Sequence, residues 1–250
     1  MDHSQTTWII LGLCAFLVAV GKTGVPGIGI VVVPLMAICF PAKASTGMLL
    51  PLLAVADIFA VAYYRRHAKW SHVLRLLPWA LLGIGTGSVI IRYISDTQLK
   101  PVIGFIVLTI LIVNFVRNRK KEIESSIPTH WLFAATLGFA AGLTTQLANA
   151  AGPIMIIYLL AMRLPKNEFI GTGAWYFLIL NWLKIPLFVM DGRITVDSVT
   201  ADLYVIPFIF LGALLGIAVL KKIPQKGFNI TVQILAMLAA AKLAISAFTG

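Results

Sequence analysis

Gly21-Lys22-Thr23-Gly24-Val25-Pro26-Gly27-Ile28-Gly29 interrupts an apolar run that extends from Trp8 to Phe40. A second run, Trp131 to Met162, breaks in the same way at Thr144-Thr145-Gln146-Leu147-Ala148-Asn149-Ala150-Ala151-Gly152-Pro153. Glycine and proline punctuate helices, and lipid offers no partner for the backbone groups that a break sets free. Such backbone survives at membrane depth only where protein or a wet cavity surrounds it. Two broken apolar segments in corresponding halves of a chain are the sequence sign of a solute site between inverted repeats.

Composition agrees with a bilayer setting. The 250 residues are 60% hydrophobic and 12% charged, with a mean hydropathy of +0.95, against roughly 25% charged in soluble domains. Continuous apolar runs at 48–64, 73–91, 99–116, 171–190, 201–220 and 228–248 are each near the ~20 residues that a crossing helix needs. The amino-terminal run lacks the basic start of a cleavable signal. The net charge of +11 lies in short loops between these runs, so it concerns topology and not nucleic acid. Cys14 and Cys39 sit in apolar segments as small packing residues.

The halves align. A shift of 124 residues places Pro41 on Pro165, Gly47 on Gly171 and Asp57 on Asn181; after a five-residue insertion, Pro78, Gly83 and Gly87 fall on Pro207, Gly212 and Gly216. The expectation is an all-α integral membrane protein of two inverted repeats. Residues 1–116 form the first, with a hairpin at 8–40 and helices at 48–64, 73–91 and 99–116. Residues 117–130 are a polar cytoplasmic linker. Residues 131–250 form the second, with a hairpin at 131–162 and helices at 171–190, 201–220 and 228–248.

Length and charge favour re-entrant hairpins over full crossings. Trp8 to Phe40 spans about 50 Å as one helix, too long for one crossing, whereas half-helices of about 13 residues reach only ~20 Å. With hairpins, Arg65, Arg66, Lys69, Arg75, Arg117, Arg119, Lys120, Lys121, Arg163, Lys166, Lys221, Lys222 and Lys226 share one side, and only Lys43, Arg92, Lys100 and Arg193 the other. Full crossings erase that bias. The positive-inside rule then puts both termini outside.

The half-helix after each break begins with free N–H groups and a positive dipole end, suited to an anion. Gly24, Gly27 and Gly29 permit close backbone approach, and Gly152-Pro153 opens the second half-helix. Lys22 and Thr23 in the first break, with Gln146 and Asn149 in the second, supply polar side chains. Lys22, Asp57 and Lys184 are the ionisable residues at membrane depth, with Lys242 nearer a helix end and read as snorkelling. Asp57 and Asn181 occupy equivalent positions and are expected to face one cavity; Asp57 either pairs with a lysine or carries a coupling proton. Trp175 and Tyr176 are candidate cavity walls. Gly83, Gly87, Gly212 and Gly216 serve internal packing or a homodimer contact. No metal-ligand spacing, nucleotide loop or catalytic constellation occurs, so neither an enzyme nor a cofactor is expected.

These segments, taken in order, resemble the TauE/SafE family of anion permeases, also called the sulfite exporter or TSUP family. The likeness rests on Gly24-Val25-Pro26-Gly27-Ile28-Gly29-Ile30-Val31-Val32-Val33-Pro34-Leu35, on Lys43-Ala44-Ser45-Thr46-Gly47, on the basic Tyr64-Arg65-Arg66-His67-Ala68-Lys69-Trp70 loop, and on the second break followed by Gly171-Thr172-Gly173-Ala174. It implies movement of sulfite or organosulfonates across a prokaryotic plasma membrane. The residues alone leave two other readings open: a carrier or flippase for a lipid-linked phosphate, and a non-transport membrane scaffold.

Overall fold

The structure is a computed structural model that describes residues 5–95, 98, 130–224 and 227; the expected helices at 99–116 and 228–248, the linker at 117–129 and Lys242 lie outside the described residues. Every element among the described residues is helical. The first apolar run gives α1 (Gln5–Thr23), a short 3-10 turn (Ile28–Val31) and α2 (Val32–Cys39). Then follow α3 (Ala42–Tyr64) and α4 (Trp70–Tyr93). The second run gives α5 (Trp131–Ala148) and α6 (Gly152–Ala161), followed by α7 (Lys166–Met190) and α8 (Val196–Lys222). Six of these helices are long and apolar enough to cross a membrane: α1, α3 with its 3-10 extension to His67, α4, α5, α7 and α8.

Both broken segments turn back on themselves, but with unequal arms. The equal arms of about 13 residues expected from length are replaced by 19 and then 8 residues in the first, and 18 and then 10 in the second. At 1.5 Å per residue the long arms reach about 27–28 Å, close to the full hydrocarbon thickness. The turns use the two backbone states that L-residues avoid. Gly27 has φ 106°, open only to glycine. Asn149 has φ 54° and caps α5 with its N–H on the Thr144 and Thr145 carbonyls, the left-handed conformation that asparagine tolerates best.

The equivalences seen in sequence reappear as geometry. Pro41 and Pro165 begin α3 and α7 with nearly the same backbone, φ −52° ψ 148° and φ −55° ψ 149°. Gly47 and Gly171 each let a loop press on the helix: Gly47 meets the Arg193 backbone, and Gly171 the Tyr64–Ala68 turn. A methyl group at Gly47 would clash with the Arg193 carbonyl.

The long arm of each hairpin packs against the second long helix after the hairpin of the other half. Along α1 and α8, Gly12 meets Phe208, Gly212 meets Phe16, and Gly216 meets Thr23 and Gly24, so the two run parallel. Along α4 and α5, Leu76 meets Gly138, Ala80 meets Gly142, and Gly87 meets Gln146, again in parallel. Gly83, Gly87, Gly212 and Gly216 are therefore filled from within the chain, the small-residue route to close helix approach in lipid. The apolar cores follow the same exchange. One joins Leu11, Cys14, Met36 and Met48 to Val205 and Ile209; the other joins Leu76 and Ala80 to Met155, Tyr158 and Tyr176.

These contacts give α1, α3 and α8 one direction and α4, α5 and α7 the other, consistent with inverted repeats. Arg65, Arg66, Lys69, Arg163, Lys166, Lys221 and Lys222 gather at one end, where Lys166 Nζ donates to the Leu220 and Ile223 carbonyls. Lys43, Arg92 and Arg193 gather at the other. Exposed apolar side chains on α4 and α8, among them Leu74, Leu82, Val89, Leu211 and Leu214, form the surface that a bilayer would cover.

Candidate functional site

Both hairpin turns line one cavity of about 120 Å³. Gly21, Lys22, Pro26, Gly27 and Gly29 come from the first, and Thr145, Asn149, Ala150, Gly152 and Pro153 from the second; Phe177 and Asn181 of α7 complete its polar and aromatic wall. At roughly 10–15 Å³ per water, that space suits several waters or one small solute.

Lys22 brings charge to this cavity. Its Nζ lies 2.7 Å from Asp57 Oδ1, and the lysine keeps 15% exposure while the carboxylate is fully buried. Asn181 Nδ2 donates to Asp57 Oδ2 at 2.6 Å. The Phe177 ring lies 4.0 Å from the Lys22 ammonium, a face that attracts cations. The equivalent residues Asp57 and Asn181 thus meet directly, and the lysine pairing is the one of the two expected Asp57 roles that the geometry displays.

The tip of the second hairpin is tied down from three sides. Lys184, fully buried, donates to the Thr145 carbonyl at 3.0 Å, to Thr145 Oγ1 at 2.7 Å and to Asn149 Oδ1 at 2.8 Å. Three acceptors match the three protons of an ammonium. Asn149 Nδ2 donates to the Thr46 carbonyl at 2.8 Å. Arg193 Nη1 donates to the Gln146 carbonyl at 2.9 Å. Around the cavity, two lysines therefore face one carboxylate, and Lys184 has only neutral acceptors within hydrogen-bond reach.

Not every expected residue reaches the cavity. Lys22, Gly27, Gly29, Asn149, Gly152 and Asn181 line it. Thr23 and Gly24 do not: the Ala19 and Ala213 carbonyls share the Thr23 hydroxyl proton at 2.8 and 3.1 Å, the Thr23 carbonyl accepts from Tyr64, and Gly24 sits against Gly216. They bind α1 to α8. Gln146 faces Gly87, and its buried amide has no hydrogen-bond partner. Asp57 and Lys184 act from behind the wall. Trp175 and Tyr176 face the core, whereas their neighbour Phe177 lines the cavity.

The model of the sulfite exporter TauE/SafE family matches residues 8–243, both hairpins included. The chain belongs to that family. It is a multi-pass membrane protein, and the family is one of transporters for anions such as sulfite. Comparison with curated proteins and with solved structures found no match. The structure adds one feature that the sequence did not announce. Arg193, in the loop after α7, is 4% exposed; its guanidinium lies 3.3 Å from the Phe188 ring centre and 2.9 Å from Asp191. Burial lowers it to about 10, with Asp191 drawing it back up, so it is charged at neutral pH. Nothing in the local sequence separates it from other loop cations; only Gly47, which lets the loop sink inward, hints at its burial.

Proposed function

We propose that this chain moves a small sulfur oxyanion, sulfite or an organosulfonate, through the cavity between its two hairpin turns, and that its two halves are inverted repeats working by alternating access. The observation that carries this reading is the convergence of both turns on one small cavity where Lys22 and Lys184 outnumber Asp57. The Lys22 ammonium in the cavity wall would attract an anion, and Coulomb attraction grows as water is excluded. Lys22 would meet the solute directly. The α6 start adds a positive dipole end: its N-cap, Ala151, contributes no side-chain hydrogen bond, and Pro153 lies in the first turn. Asn149 would turn its amide between Lys184, Thr46 and the solute. Export is taken as the direction from the name of the sulfite exporter family alone.

The test is flux in proteoliposomes. Lys22→Ala and Asn149→Ala should abolish sulfite movement while the proteins stay folded and membrane-inserted. Wild-type rates from both would count decisively against the site. A thermal-shift screen against sulfite, sulfate, thiosulfate, taurine and sulfoacetate ranks the solutes.

A further inference from the structure

A second cavity, about 350 Å³, lies on the other side of the second hairpin's tip, bounded by Lys43, Ile91, Arg92, Met190, Asp191 and Arg193. Among the described residues, three cations converge there from the start of α3, the end of α4 and the α7–α8 loop, with Asp191 as the carboxylate in its lining. Arg193 links this vestibule to the tip: Nη1 holds the Gln146 carbonyl, Nη2 holds Asp191, and the buried Nε has no acceptor. The tip is the partition between the two cavities, since Thr145 and Asn149 line the central one.

Bracing the loop does not account for this arginine. The opposite loop is braced on Gly171 by backbone, yet its equivalent residue, Lys69, points outward to Glu168 at 3.1 Å and is half exposed. Of these two loops, only the one after α7 carries an inserted cation. A guanidinium presents a fork of donors matched to oxyanions, and bidentate pairing with an anion adds geometric specificity as well as energy.

We propose that the vestibule is a second binding site for the same class of small sulfur oxyanion, and that Arg193 is its latch. An anion held by Lys43, Arg92 and Arg193 draws the guanidinium off the Gln146 carbonyl and frees the tip of the second hairpin. This rests on the transport reading and adds an entry or exit station to it.

Titration calorimetry of the purified full chain with sulfite tests the site. Wild type should bind two equivalents; Lys43→Ala/Arg92→Ala should keep the central one alone, and Lys22→Ala the vestibular one alone. A single equivalent in wild type, unchanged in the Lys43→Ala/Arg92→Ala variant, overturns the vestibule and leaves the central reading standing. Two equivalents retained in that variant overturn the vestibule as well; no binding overturns both. Hydrogen exchange of residues 145–150 tests the latch in the Lys22→Ala background, where sulfite reaches only the vestibule. Sulfite should speed exchange there about threefold through local opening, while α4 is unaffected. Arg193→Gln should be fast without sulfite, and Arg193→Lys should still respond. Exchange that ignores sulfite, or Arg193→Gln that matches its parent, overturns the latch.

Discussion

Neutralising the Lys22–Asp57 pair one residue at a time, and then together, separates structural pairing from solute binding. The pair is short at 2.7 Å, with the carboxylate fully buried and the lysine 15% exposed. Removing one partner of a buried pair costs about 3–5 kcal/mol, because the other charge is left behind. Lysine's residual exposure places this pair near 3 kcal/mol, or about 6–12 °C at roughly 2–4 °C per kcal/mol for a chain of this size. The two singles should differ. In Asp57→Asn, Lys22 keeps the Phe177 face at 4.0 Å, worth about 0.5–2 kcal/mol. In Lys22→Gln, the carboxylate keeps only Asn181. Lys22→Gln should therefore unfold at the lower temperature. The double variant Lys22→Gln/Asp57→Asn restores a neutral hydrogen-bonded pair and should regain most of the loss, yet show no sulfite flux. Thermal unfolding followed by intrinsic fluorescence in detergent, beside flux in proteoliposomes, reads both quantities. A double variant whose losses simply add, or one that transports normally, would refute the reasoning.

Gly216→Ala should destabilise by about 1–3 kcal/mol through overpacking, because the added methyl meets Thr23 Oγ1; Gly85→Ala, with open space around it, should be neutral or stabilise by up to about 1 kcal/mol, and thermal shifts compare them. Asn149→Gly keeps the left-handed turn at φ 54° but loses the bonds to Lys184 and Thr46, so it should fold and lose flux, separating backbone from side chain. Val196→Cys should react with an impermeant maleimide on intact cells, and Arg66→Cys, equally exposed, only after permeabilisation; labelling of both on intact cells, or of neither before permeabilisation, would reject the inverted arrangement.

The sequence made the two turns legible because glycine, proline and polar side chains stand out against apolar runs, and it made Asp57 and Asn181 partners through a constant spacing. It did not show how far each hairpin reaches. Apolar periodicity reports that a helix continues, not where a chain reversal falls within a broken run, so the long arms of 19 and 18 residues were invisible. Thr23 and Gly24 looked like solute ligands because polar and small residues serve both binding and helix packing. In the structure both pack against α8, at Ala213 and Gly216, which lie far along the chain. Arg193 stayed hidden for the same reason: its burial depends on a glycine in another helix.

The exchange of arms between the halves bears on how the protein is made. Thr23 must wait for Ala213, 190 positions later, before its hydroxyl finds its distant acceptor. Until α8 emerges from the ribosome, the first hairpin stands in lipid with Lys22 and an unfilled glycine-lined groove. Each half is thus an incomplete object, and a gene severed at the linker should yield two fragments that survive only when synthesised together.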